Sequence, residues 1–217
     1  MSAAFTRELV ERASRAILEH REELTALDRA VGDGDHGLNM ARGFEAIAAS
    51  AEELAALPFG KALDKAGMTL VTKVGGASGA LFGSLLMAMG RTVRDCPAGR
   101  PEVADMLRAG VDAVRRRGKS APGEKTMLDV LAPVLAVLEE EGAGADMRGR
   151  VRAAAAGGLA ATRDMIPTKG RASFLGERAA GHPDPGARSS ELLVEAVCDV
   201  VDGRRDESAR AGVARGR

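Results

Sequence analysis

The chain has neither tryptophan nor tyrosine, and its aromatic residues, five phenylalanines, make up only 2% of the sequence. Proteins that grip single-stranded nucleic acid stack bases on aromatic platforms, so that class is disfavoured from the start. Cysteine is almost as scarce. Cys96 and Cys198 stand far apart and outside any CxxC spacing, which argues against both a disulfide framework and a zinc site. An excess of one charge is also missing, because 31 Lys and Arg balance 31 Asp and Glu. No global pull toward nucleic acid or acidic membranes follows. The longest uncharged stretch, residues 75–90, is glycine-rich and falls short of the ~20 apolar residues that span a bilayer. The N-terminus carries Arg7, Glu8, Glu11 and Arg12 where a secretory leader needs an apolar run. A cytoplasmic location without membrane contact is expected.

What is present is helical pattern. With 217 residues, 45% of them hydrophobic and 29% charged, the chain can build one sizeable core. Apolar positions recur at three- and four-residue steps over eight stretches, beginning with Phe5, Leu9, Ala13, Ile17 and Leu24. The spacing predicts helices over about 2–27, 37–57, 59–74, 78–95, 101–114, 126–141, 147–165 and 190–202. Period-two alternation is absent, so the class is all-α, an eight-helix antiparallel bundle or closed barrel. One domain over 1–202 is expected. The tail from Gly203 lacks apolar periodicity and is predicted to be disordered over 203–217. The segment 166–189 holds seven prolines and glycines and is predicted to be a long structured loop.

In an antiparallel bundle every second connection falls at the same end. The odd-numbered connections are the acidic turn after the first helix, the glycine-rich VGGASG turn, the RGKSAPGEKT loop and the 166–189 loop. All the chemically rich loops therefore share one rim.

The acidic turn lies within LDRAVGDGDHGLNMARGF and holds Asp28, Asp33, Asp35 and His36. Carboxylates crowded on a flexible backbone repel unless a cation or hydrogen bonds compensate, and hard oxygen ligands suit Mg²⁺. Helix capping and ion pairs with Arg29 or Arg42 are the plain alternative. An EF-hand fails, because position twelve counted from Asp33 is Phe44 where a glutamate is required. His36 could ligate metal, accept a phosphoryl group or orient phosphate, although Mg²⁺ disfavours imidazole; a hydrogen bond at the helix start is the alternative.

The run GGASGALFG is not a nucleophile elbow, because Ala80 stands where the last glycine belongs. Nor is it a dinucleotide loop, since no strand precedes it. What remains is backbone amides at a helix start with the Ser78 hydroxyl among them, an anion site, unless the glycines serve close helix packing instead. Gly118-Lys119-Ser120 resembles the end of a Walker A loop, but Ala113 replaces its first glycine. In the last loop, Lys169 and Arg171 could neutralise phosphate, and Asp184 could take a ribose or amine contact or orient Arg171. Ordinary surface charge is the alternative for these. Together the four loops describe an all-α protein with an anion and Mg²⁺ site, most economically a nucleotide phosphate site.

Four segments in order, LDRAVGDGDHGLNMARGF, VGGASGALFG, GEKTMLDVLAP and KGRASFLGERAAGHPDPGARSS, resemble the nucleotide-binding L subunit of dihydroxyacetone kinase over nearly the whole chain. The resemblance implies an eight-helix barrel holding ADP or ATP at one end through two Mg²⁺ ions, with Asp28, Asp33 and Asp35 as ligands. By the same match, His36, Gly37, Leu38 and Asn39 border the nucleotide, and Ala77 and Ser78 meet the phosphates. Gly118, Thr126, Met127 and Arg171 add nucleotide contacts, while Asp184, Pro185 and Gly186 close the site. Asp28, Asp33, Asp35 and Ser78 would serve catalysis. The family also implies a separate K subunit that holds the ketose, and in many bacteria a phosphohistidine donor of the phosphotransferase system. Phe174 and Gly34 are small departures, where tyrosine and alanine also occur. The ketose, the choice between that donor and free ATP, and a homodimer stay open. A non-catalytic nucleotide-binding module acting through a protein partner is the alternative function.

Overall fold

The computed structural model describes residues 1–96, 102–140 and 146–215, with side chains described as far as Arg204. Ten α-helices and one 3-10 segment follow one another, and the described residues contain no strand. The helices are α1 (Ala3–Glu19), α2 (Arg21–Val31), α3 (His36–Ala49), α4 (Ala51–Ala56) and α5 (Phe59–Lys73). They continue with α6 (Gly76–Asp95), α7 (Val103–Gly118), α8 (Leu128–Glu139), α9 (Met147–Thr162) and α10 (Pro185–Arg215), with the 3-10 segment Arg171–Ala179 before the last. No helix among the described residues is long and apolar enough to cross a membrane.

The contacts close a ring. α1 packs on α3, α3 on α5, then α5 on α6, α6 on α7, α7 on α8, α8 on α9, α9 on α10, and α10 back on α1. Ile17, Leu24, Met40, Leu70, Leu128 and Val130 point inward and are fully shielded, part of one continuous apolar core. The first helical stretch of the sequence is bent at His20 into α1 and α2, and the second at Ser50 into α3 and α4. The bonds Leu24 N–H to His20 O and Leu54 N–H to Ser50 O, both 2.9 Å, carry across each bend. Counted as bent rods, these pairs leave eight staves.

Glycine sets how closely two staves approach. On α5, a Cβ at Gly60 or Gly67 would press on the carbonyl of Gly90 or Gly83, and the α6 glycines face Gly60 and Gly67 in return. On α8, Pro133 has no N–H, so the Asp129 carbonyl four residues earlier lacks its helical partner. Gly158 of α9 packs directly against that carbonyl.

Several ends differ from the sequence expectation. α8 starts at Leu128, not at Thr126, and α9 stops at Thr162, short of Met165. α7 starts at Val103, while Pro101 lies outside the described residues. α10 starts at Pro185, five residues before the predicted Ser190. Asp184 accepts the Ala187 N–H (2.7 Å) and Pro185 fills the first helical position, a start signal concealed by the density of prolines. α10 also runs on as helical backbone to Arg215, beyond the 202 end of the predicted helix. Extending a docked helix needs no new nucleus, and residues 203–215 include four arginines and three alanines.

Candidate functional site

At the acidic turn, Asp28 near the end of α2 is almost buried, while Asp33 and Asp35 are exposed. Carboxylate oxygens of the three lie within 4.8 Å of one another. An octahedral Mg²⁺ at about 2.1 Å would hold oxygens roughly 3.0 Å apart in cis and 4.2 Å apart in trans. Both spacings fall inside that limit, so the donor set fits a hard cation. Two glycines shape it. Gly34 takes φ 74°, in the left-handed region, and a Cβ at Gly32 would collide with Asp28 Oδ1.

The capping alternative holds for one carboxylate. Asp28 Oδ2 accepts the N–H groups of Asp35 (2.8 Å) and His36 (3.1 Å), so it caps α3 from outside, whereas Asp35 at the N-cap position makes no side-chain cap bond. Arg42 instead bonds Lys73 O and Asn39 Oδ1. Arg171, reaching over from the 3-10 segment, pairs with Asp33 at 2.8 Å. Asp33 therefore orients Arg171, and no contact from Asp184 to Arg171 occurs among the described residues. Lys169 lies 3.7 Å from Glu124.

His36 is only 6% exposed and both its ring nitrogens are engaged, Nδ1 with Ser78 Oγ (3.0 Å) and Nε2 with Ser189 Oγ (2.8 Å). It acts as a strut between three segments. Burial pushes its pKa down, with Asp28 and Asp35 opposing, so the neutral imidazole is favoured. Ser78 stands in the first turn of α6, where the opening amides have no intrahelical acceptors. The close-packing reading of the glycine run holds at two residues. Gly79 and Gly83 pack against α5, while 75–78 form a partly exposed helix start.

Around the other half of the rim, Gly118 ends α7, and Lys119 follows at φ 48°. Thr126 Oγ1 accepts the Leu128 N–H (3.2 Å) at the start of α8. Met127 is buried at 3% exposure, so its side chain belongs to the core, with its backbone facing Gly186. Gly37 presses on Arg21 O and Thr25, Asn39 lies against Gly75, and Leu38 and Ala77 are exposed beside them. Pro185 is buried below Gly186. Burial raises the Asp184 carboxyl to about 7, and Asp129 adds to the rise while the Ala187 N–H and Lys125 oppose it.

Four residues of this region escape sequence reasoning: Lys125, Asp129, Thr162 and Ser189. Asp129 Oδ1 and Oδ2 accept the N–H groups of Gly123 and Thr126, folding the 118–127 loop. Ser189, fully buried, takes the second nitrogen of His36. The only sequence signal for Lys125 and Asp129 is a charged pair beside an apolar helix start, which reads equally as surface.

The DAK2 domain family model matches residues 30–199. A Listeria innocua protein described as "PEP-dependent dihydroxyacetone kinase 1, ADP-binding subunit DhaL" is 43% identical over 181 residues, covering 83% of this chain and 88% of that protein. A Lactococcus lactis protein described as "PTS-dependent dihydroxyacetone kinase, ADP-binding subunit DhaL" is 41% identical over 188 residues, 85% of this chain and 91% of the relative. Among solved structures, the C. freundii dihydroxyacetone kinase in complex with AMP-PNP and Mg²⁺ superposes with a TM-score of 0.71 at 26% identity. That match takes in 90% of this chain but only 34% of the larger kinase. The chain is a member of the DAK2 domain family and is related over most of its length to the DhaL subunits of dihydroxyacetone kinases.

Proposed function

We propose that this chain carries Mg-bound ADP or ATP at the four-loop rim and serves as the nucleotide subunit of a small-ketose kinase. Its terminal phosphoryl group passes to a ketose, dihydroxyacetone or a close relative, held on a separate K subunit. The observation that carries this reading is the clustering of Asp28, Asp33 and Asp35 within 4.8 Å. This cluster lies across the His36–Ser78 bond from the open helix start of α6. Relatives described as ADP-binding subunits, and a solved relative holding AMP-PNP and Mg²⁺, support it.

When bound, two Mg²⁺ ions on the three aspartates would offset the charge of the phosphates and of the transfer itself. The chain's own groups supply position. The helix-start amides and the Ser78 hydroxyl donate toward phosphate oxygens, and the neutral His36 holds that hydroxyl without adding charge. The Arg171–Asp33 pair is largely exposed, and such pairs contribute about 1 kcal/mol or less, so Arg171 exchanges readily to a phosphate. His36, Gly37, Leu38 and Asn39 on one side, and Gly118, Thr126, Met127, Pro185 and Gly186 on the other, are assigned to the walls around base and ribose. A phosphohistidine protein recharges the bound ADP in place, as the description of the Lactococcus lactis relative as PTS-dependent suggests.

Asp33→Asn tests the reading. Calorimetry with Mg-ADP, together with ketose phosphorylation in the presence of a K subunit, is expected to show loss of tight nucleotide retention and of turnover. Because Asp33 is exposed, the fold should persist, with a stability change within about 0.5 kcal/mol. Unchanged Mg-ADP retention in this variant would overturn the metal assignment.

A further inference from the structure

Lys125 is the bulkiest of the most deeply buried side chains, at 1% exposure. Its backbone sits at φ 60°, a left-handed conformation that a lysine adopts only under constraint. Five carbonyl oxygens lie within hydrogen-bond distance of its ammonium and share its three N–H groups: Thr162 (2.7 Å), Arg163 (3.3 Å), Met165 (3.2 Å), Ala179 (3.0 Å) and His182 (2.7 Å). These acceptors come from two places, the chain leaving α9 and the chain returning toward α10. The ammonium thus sits in the neck of a loop whose ends meet.

The neck has weaker ties of its own. Gly181 N–H bonds Arg163 O (2.8 Å), Arg163 Nε bonds Gly181 O (2.9 Å), and Asp184 N–H bonds Thr162 Oγ1 (3.1 Å). Among the described hydrogen bonds, however, the carbonyls of Met165, Ala179 and His182 have no donor except Lys125. The bond is buried at Ala179 and part-buried at Met165 and His182, and a carbonyl shielded from water without a donor is costly; no backbone N–H among the described hydrogen bonds reaches these three. Burial lowers the lysine's pKa, while Asp184 and Asp164 oppose that fall. Beyond the neck, the loop carries Arg171 to Asp33 of the acidic cluster.

We infer that Lys125 is a positioning residue, an internal cation that clamps the neck of the 163–181 loop and so sets Arg171 over the carboxylate cluster. The inference rests on the nucleotide reading only for its consequence at the site; the clamp itself does not. Replacing the ammonium leaves the helical ring in place and frees the loop. Arg171 is then no longer held where a phosphate would meet it.

The experiment compares the unaltered chain, Lys125→Met, Arg171→Ala and the double variant, with Lys125→Gln as a milder change should the methionine variant be insoluble. Trypsin digestion without nucleotide, with first cuts mapped by mass spectrometry, is expected to show at least about tenfold faster cleavage after Lys169, Arg171 or Arg178. Far-ultraviolet circular dichroism should keep its helical amplitude. Mg-ADP affinity should fall roughly tenfold in Lys125→Met and in Arg171→Ala, and no further in the double variant. Unchanged loop cleavage, additive affinity losses, or loss of helical signal in both lysine variants would each overturn the inference. Should the unaltered chain fail to bind Mg-ADP, the nucleotide reading falls, while the cleavage rates still decide the clamp.

Discussion

Asp184 and His36 show how burial, the largest influence on each, gives two ordinary side chains opposite dependences on pH. The Asp184 carboxyl is raised to about 7 by burial, so the folded chain holds a proton there that the unfolded chain has released. Its contribution to stability therefore falls as pH rises from the ordinary carboxylate range through about 7. His36 is lowered by burial, so the unfolded chain binds the extra proton, and stability from this site rises with pH up to 6.5. The two slopes oppose each other below 6.5, and above it Asp184 acts without opposition from His36. Asp184→Asn keeps an oxygen to cap α10 and removes the titration. Thermal melts from pH 6.5 to 8 are expected to show a declining Tm in the unaltered chain and a flatter one in the variant. An equally steep decline in both would assign the slope to another group.

Among the helices, two adjacent glycines of α9 separate propensity from packing. Gly157 is exposed, with nothing within 4 Å of an added Cβ, whereas a Cβ at Gly158 would collide with the Asp129 carbonyl. In a helix interior alanine is favoured over glycine by about 1 kcal/mol. Gly157→Ala should therefore stabilise the chain by about that amount. At Gly158 overpacking, typically about 1–3 kcal/mol, outweighs the gain, and α8 must shift next to the bonds from Asp129 that fold the 118–127 loop. Chemical denaturation of the two variants is expected to move the midpoint in opposite directions. Movement in the same direction would mean that α8 and α9 adjust freely. The same logic explains the bend at His20, because Gly37 presses against Arg21 O and Thr25, so α2 is seated by the start of α3.

For the whole molecule, the proposed site belongs to no single helix, since the parts assigned to it come from four connections at one rim of the ring. A ligand that touches all four loops should stiffen the molecule broadly. At a hundredfold excess over its Kd, Mg-ADP would stabilise the fold by about 2.7 kcal/mol, or roughly 5–10 °C in Tm for a domain of this size. Scanning fluorimetry should show that rise with Mg-ADP and its loss on adding EDTA; a rise insensitive to EDTA would place the nucleotide without the metal. Much of this architecture was legible in the residues. Apolar spacing defined the helical stretches, connection parity put the acidic turn, the glycine turn and the two later loops together, and the rejected motifs removed calcium and P-loop readings. Those are local or topological properties, carried by periodicity and by composition at the turns. The bends at His20 and Ser50, the early start of α10 and the course of its C-terminal backbone were not legible, because each depends on how neighbouring segments meet or on a cap hidden among prolines. Lys125, Asp129 and Ser189 belong to the same class. A charged or hydroxyl residue reads as surface until its partners are known, and the partners of Lys125 lie 37 to 57 positions away. The sequence by itself determined the helical ring, the rim and the family. Only the tertiary structure decided which groups hold that rim in shape, because buried hydrogen bonds between distant segments leave no periodic trace in the chain.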